Sequence, residues 1–259
     1  GSRNLRIGED AGDSMTSDAL DNVVIGKDAG TAITSGDRNT FLGNLAGDAL
    51  TTGIRNVALG YGALGAEVAG NKSVAIGQSA LGNQTNATST DALNVAVGHD
   101  TGVSVTTGIR NTLIGALAGD ALTDADKNVA IGYLALSGDT LGNTSVAVGM
   151  GTLQNQNFTT DTNSFNTAVG HEAGNDITTG VQNTLVGGLA GDAITDADYN
   201  VAMGYNALGT NTVGSRSVAV GFQALLTQNP ATATDMYNVA VGHNAGRDVT
   251  TGVNNTLLG

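Results

Sequence analysis

One short motif returns along this chain on a fixed schedule. Asn-x-x-aliphatic-Gly begins at Asn4, Asn22, Asn39, Asn56, Asn94, Asn111, Asn128, Asn166, Asn183, Asn200, Asn238 and Asn255. In three further copies, "KSVAIG", "TSVAVG" and "RSVAVG", Lys72, Thr144 and Arg216 are read as filling the Asn slot. From Asn22 the steps run 17, 17, 16 and 22 residues, and their sum of 72 repeats through Asn94, Asn166 and Asn238. Helical repeats need roughly 33 residues or more, and leucine-rich repeats about 20. A 17-residue unit is too short for either, but it suffices for two short strands and two turns. That is one coil of a parallel β-solenoid, in which each repeat contacts only its neighbours.

The motif alternates strictly. In "NVAVG", Val95 and Val97 point one way, Asn94 and Ala96 the other. The expectation puts the valines inside. Gly98 follows, at a corner that suits a positive φ, and "AGNDITTG" supplies a second strand with Ile177 inward. Where "TTG" becomes "TDA" (Thr123, Asp124, Ala125) the corner dispenses with glycine, so it does not demand φ > 0. Stacked coils place equivalent Asn side chains about 4.8 Å apart, close enough for an amide ladder. Fourteen steps between fifteen motif copies imply a rod of roughly 65–70 Å. Ala is expected on the outside of the strand at Ala58, Ala75, Ala96, Ala130, Ala147, Ala168, Ala202, Ala219 and Ala240. Such a column of small apolar residues reads as a seam between chains. The whole of 1–259 is read as one continuous array.

Composition narrows the function. Glycine numbers 39, proline 1 and cysteine 0, with aromatics at only 3%. A core of small aliphatics has to be built by stacking. Net charge is −13, which disfavours nucleic acid, because phosphate binding requires a basic footprint. No apolar run approaches the ~20 residues of a membrane-spanning helix, so no membrane insertion is expected. Disulfide and thiol chemistry are excluded.

"SVAIGQSAL" (73–81), "SVAVGMGTL" (145–153) and "SVAVGFQAL" (217–225) resemble the head repeat of trimeric autotransporter adhesins, the YadA-like family. The Asn-aliphatic-Ala-aliphatic-Gly core is also similar to repeats of bacteriophage tail fibres. The resemblance runs over essentially the whole chain. It implies a left-handed β-roll, a parallel homotrimer and an extracellular setting, on a bacterial surface or a virion. The longer coils depart from the family pattern, and no stalk or membrane anchor is expected within these residues.

Several residues invite a chemical reading. His99, His171 and His243 follow the motif Gly at 72-residue spacing. They either form rings on a trimer axis that hold a metal or anion, or face solvent without a ligand. Asp124 with Asp126, and Asp196 with Asp198, have the spacing of a calcium-chelating loop but also of a solvated turn. Arg38, Arg55, Lys72, Arg110 and Lys127 need counter-charges, for which Asp48, Asp120 and Asp192 are the expected partners. The ligand-binding candidates lie in the insertions 82–93, 154–165 and 226–237: Asn83, Gln84, Asn86, Asn155, Gln156, Phe158, Gln228, Asn229 and Tyr237. Polar loops on a stiff scaffold suit a glycan or protein receptor.

No paired acids, Ser-His-Asp set, phosphate loop or zinc spacing points to an enzyme, and no cofactor is expected. The expectation is therefore a non-enzymatic fibre segment, shaft or head, that presents loops to a host surface. A monomeric ice- or calcium-binding solenoid and a polysaccharide-degrading tailspike are the alternatives.

Overall fold

The computed structural model describes residues 3–259. Two compact units divide it, Gly1–Asn128 and Val129–Gly259. Each is a β-solenoid without helix. Among the described residues, the first stacks seven three-residue strands from Leu5–Ile7 to Thr112–Ile114. The second stacks eight, from Val129–Ile131 to Thr256–Leu258. Every pairing is parallel, in step from coil to coil. The expected second strand is only partly present: around Ile177, which points inward and is fully buried, the coil closes through turns and bends, and short two-residue strands after the motif Gly form only around the longer coils, as at Gly70–Asn71 and Thr90–Asp91.

Pairing of Val57 with Val74 moves the ladder slot by one residue from the expected one. Ser73, Ser145 and Ser217 stand level with Asn56, Asn128 and Asn200, and Lys72, Thr144 and Arg216 lie just outside. The steps are therefore 17, 17, 17 and 21.

The ladder itself is present. Asn39 Oδ1 accepts the backbone N–H of Asn56 at 2.9 Å, and its Nδ2 donates to Gly53 O across the coil at 2.9 Å. Asn111 and Asn183 repeat the arrangement. Direct amide-to-amide bonds are secondary and occur only at some steps, such as Asn39 Nδ2 to Asn22 Oδ1 at 3.1 Å. Each buried Asn thus satisfies backbone groups that the narrow coil removes from water.

The strand faces are the reverse of those expected. Ala96, Ala147 and the other strand-centre alanines are fully buried, whereas Val95, Val97 and their equivalents keep part of their surface in solvent. Asn and Ala share one face of the strand, so burying the ladder carries Ala inside with it.

Across the interior, volume is conserved by exchange. Gly102 accompanies Val105, Gly119 accompanies Leu122 and Gly174 accompanies Ile177, while Leu64 accompanies Glu67 and Leu153 accompanies Gln156. In the first kind of coil the aliphatic residue fills the core. In the second, Leu fills it and a polar side chain turns toward the ladder. A β-carbon on Gly47 would lie 2.4 Å from the Phe41 ring, so the largest core residue occupies the space that this glycine leaves.

Glycine serves a second purpose at the corner before the Asn. Gly53 and Gly108 do not have positive φ, as expected from the Ala substitutes, but a β-carbon would come within 2.3–2.4 Å of a carbonyl oxygen in the next coil.

Candidate functional site

The three longer coils are built around a buried polar plug. Ser73 is too short to continue the ladder, and Gln84, from the same coil, fills the gap. Its Nε2 donates to Ser73 Oγ at 3.1 Å and to Glu67 Oε2 at 2.6 Å, while its Oε1 accepts from Asn94 Nδ2 at 2.8 Å. Gln156 makes the same links to Ser145, Asp139 and Asn166 at 2.9, 2.6 and 2.9 Å. Gln228 bonds Ser217 at 3.0 Å and Asn238 at 2.8 Å. The plug residue one coil earlier is Glu67, Asp139 or Asn211, at 72-residue spacing. Each binds a glycine N–H three residues on: Gly70 at 2.7 Å, Gly142 at 3.0 Å and Gly214 at 3.1 Å. Glu67 accepts further bonds from Val68, Ala69 and Asn86. Asp139 accepts from Gln156, Phe158 and Gly142, but burial outweighs these bonds and pushes its carboxyl above the ordinary range.

This removes five expected loop residues from any ligand surface. Gln84, Gln156, Gln228 and Asn86 are buried and hydrogen-bonded, and Phe158 is buried beside them. Asn83, Asn155, Asn229 and Tyr237 are exposed. The real loop tips are residues 87–89, 159–161 and 231–233, all exposed. A two-residue parallel pair anchors the base of each, as with Gly70–Asn71 against Thr90–Asp91. The long period of the polar plug was present in the spacing of 67, 139 and 211, but the three residues differ in type, which hid it.

Of the expected basic residues, Lys72 finds another partner than the aspartates of the AGDA turns, and Arg216 behaves alike. Lys72 pairs with Asp91, and Arg216 with Asp235 at 2.9 Å while lying 4.5 Å over the Tyr199 ring. Asp48, Asp120 and Asp192 instead have carboxyls raised chiefly by burial, with a further rise from Asp28, Asp100, and Asp176 with Glu172, respectively. In the first unit Asp48 and Asp28 line an open cleft of about 400 Å³ with Ser14 and Thr31.

The metal candidates are dispersed within the chain. Asp126 and Asp198 accept the N–H of Ile109 and Val181 at 2.8 and 2.7 Å, and Asp124 and Asp196 accept from Thr107 and Thr179. These bonds tie each coil to the one before it. His99 lies 3.1 Å from Asp100, His171 3.6 Å from Glu172, and His243 stacks on Phe222 at 4.9 Å. Among the described residues no group of three or more His, Cys, Asp or Glu comes together in a way that could hold a metal ion.

The outer face of the strands also stays partly in solvent. Its positions, the first and third of every strand, are Val, Ile, Leu, Met or Thr, and none is charged. Leu42, Leu59, Ile114, Met203 and Val241 are each about 40% exposed. Two columns border this strip. One, directly before the ladder slot, holds Arg55, Lys72, Leu93, Phe165, Tyr199 and Tyr237; many of its residues sit at φ near +60°. The other, directly after the motif Gly, holds Tyr61, Tyr133, Tyr205 and Phe222 with the histidines, and Tyr205, Phe222 and His243 stack in sequence.

Comparison with protein-family models, curated proteins and solved structures finds no match for this chain.

Proposed function

We propose that this chain is a structural segment of an adhesive fibre, with copies joined along their outer strand faces as a homotrimer and the insertion tips turned to a host-surface glycan or protein. One observation carries this reading: a flat, uncharged, aliphatic strip left in solvent by a chain of net charge −13. Each unit's strip is roughly 30 Å by 10 Å, about 300 Å², and with its two borders the face is roughly 30 Å by 20 Å, about 600 Å². A contiguous apolar strip of about 300 Å² already matches the largest patch on a typical monomer, and the whole face, borders included, approaches the ~800 Å² per partner of a stable interface. The absence of charge from the strip itself, and aromatic residues such as Tyr199, Tyr205 and Phe222 beside it, match the composition of interface cores. The seam of the fibre is therefore the Val/Ile/Leu face, in place of the Ala face expected from sequence. A virion or bacterial cell surface is the corresponding setting.

The exposed tips supply the adhesive part. Thr88, Ser89, Thr159, Thr160 and Thr232 present hydroxyls on a scaffold held by the polar plugs, a chemistry suited to polyhydroxyl ligands. A glycan array probed with the whole protein tests this. Binding is expected, and it should fall when residues 159–161 are replaced by glycines. Binding that survives replacement of all three tips would place recognition elsewhere, and no binding to glycans or to intact cells would reduce the segment to a shaft.

A further inference from the structure

We propose that charge on the two border columns sets the register in which neighbouring parallel copies meet, at equal height. The inference rests on the self-association just proposed. Each coil carries one residue of each column, separated by the strand, a span of roughly 20 Å of extended chain. The two columns therefore meet only between copies.

The first unit holds the decisive residues. Arg3 and Asp21 pair at 2.7 Å along the column before the ladder slot. Lys27 and Glu9 pair at 3.2 Å along the column after the motif Gly. The order of signs is opposite: positive then negative in one column, negative then positive in the other. Parallel copies at equal height set Arg3 of one against Glu9 of the next, and Asp21 against Lys27. A slip of one coil in one direction sets Arg3 against Lys27, and in the other direction Asp21 against Glu9. Both slips oppose like charges beside an apolar seam, which penalises wrong pairings more strongly than matched pairs add affinity.

Register needs such a device here. The strip itself repeats coil by coil, every 17 to 21 residues, and an almost uniform aliphatic surface packs nearly as well after a slip of one coil. Other coils agree with equal height: Arg55 shares its coil with Tyr61, Arg216 with Phe222, and Tyr237 with His243. Between copies these become cation–aromatic and aromatic pairs.

The test exchanges charges without breaking the ion pairs inside a chain. Glu9→Lys with Lys27→Glu inverts one column, and Arg3→Asp with Asp21→Arg inverts the other. Each double variant is expected to associate about tenfold more weakly than wild type or worse, measured by light scattering over a dilution series. All four substitutions together restore opposite charges at equal height and should recover association to within about threefold. The combined variant contains every substitution, so its recovery also shows that none of them prevents folding. Wild-type protein that assembles while both double variants assemble equally well overturns the register alone. So does a combined variant no better than the doubles. Monomeric wild-type protein overturns the self-association reading, and the register with it.

Discussion

In the strand Val146–Val148 the central Ala147 is fully buried, whereas the valines on either side keep part of their surface in solvent. The larger apolar residues lie outside and the smaller one inside. Hydrophobicity alone predicts the opposite. Leu136 and Leu153 already occupy the interior here, fully buried, which leaves this strand centre little room beyond a methyl group. The outer face has no such limit, and its branched residues are free to serve a partner. One strand thus combines a core chosen for fit with a surface chosen for area.

The largest expected effect comes from enlarging the inner face. Ala147→Leu should cost about 3 kcal/mol or more, because overpacking a closed coil displaces backbone. Val148→Thr, one residue away, should change monomer stability by less than about 0.5 kcal/mol while weakening self-association. Urea unfolding at low protein concentration separates the two, and equal costs at both positions would break the comparison. Next comes the ladder: Asn183→Ala leaves Asn200 N–H and Ala197 O without their partners and should cost about 2–3 kcal/mol.

The buried acids give a smaller effect with an unusual sign. Asp48, Asp120, Asp139 and Asp192 have carboxyls raised above their unfolded values, chiefly by burial. Such a group contributes stability that is full below its unfolded pKa and is lost as pH rises through its folded pKa. Asp91, held low first by the hydrogen bond from Lys72, acts in the opposite direction but lies in solvent. The urea midpoint should therefore rise as pH is lowered from neutral into the carboxylate range. Asp139→Asn should flatten that rise and add about 1 kcal/mol at neutral pH, since Asn211 already occupies the equivalent place. A midpoint that falls steadily on acidification would contradict the assignment. Smallest of all, Lys72→Ala should leave the urea midpoint almost unchanged, because its ion pair with Asp91 lies at the surface.

Much of this was legible in the residues. Period, parallel stacking and the Asn ladder follow from the spacing, because a 17-residue unit admits few folds and a repeated Asn at ~4.8 Å has an obvious use. Alternation fixes which residues share a face but not which face is inside. The Asn held that information: Asn94 and Ala96 lie on one side, so a buried ladder and an outward Ala seam exclude each other. The polar plug was hidden for a different reason. Gln84 reads as part of a solvated loop until the pairing of Val57 with Val74 places Ser73 in the ladder and leaves a gap that only a long amide spans. Left-handed Arg38, Arg55 and Lys72 were equally invisible, since propensity argues against that conformation and only the coil geometry imposes it.

The claim that the aliphatic strand face is where copies meet is tested most directly by molar mass in solution, measured by light scattering on a sizing column. Wild-type protein should give about three times 25.7 kDa, and protein carrying Val146→Asp with Val148→Asp should shift toward the single-chain value while keeping its β-sheet circular dichroism. A wild-type mass of one chain, or a trimer unchanged by two carboxylates in the strip, would contradict it.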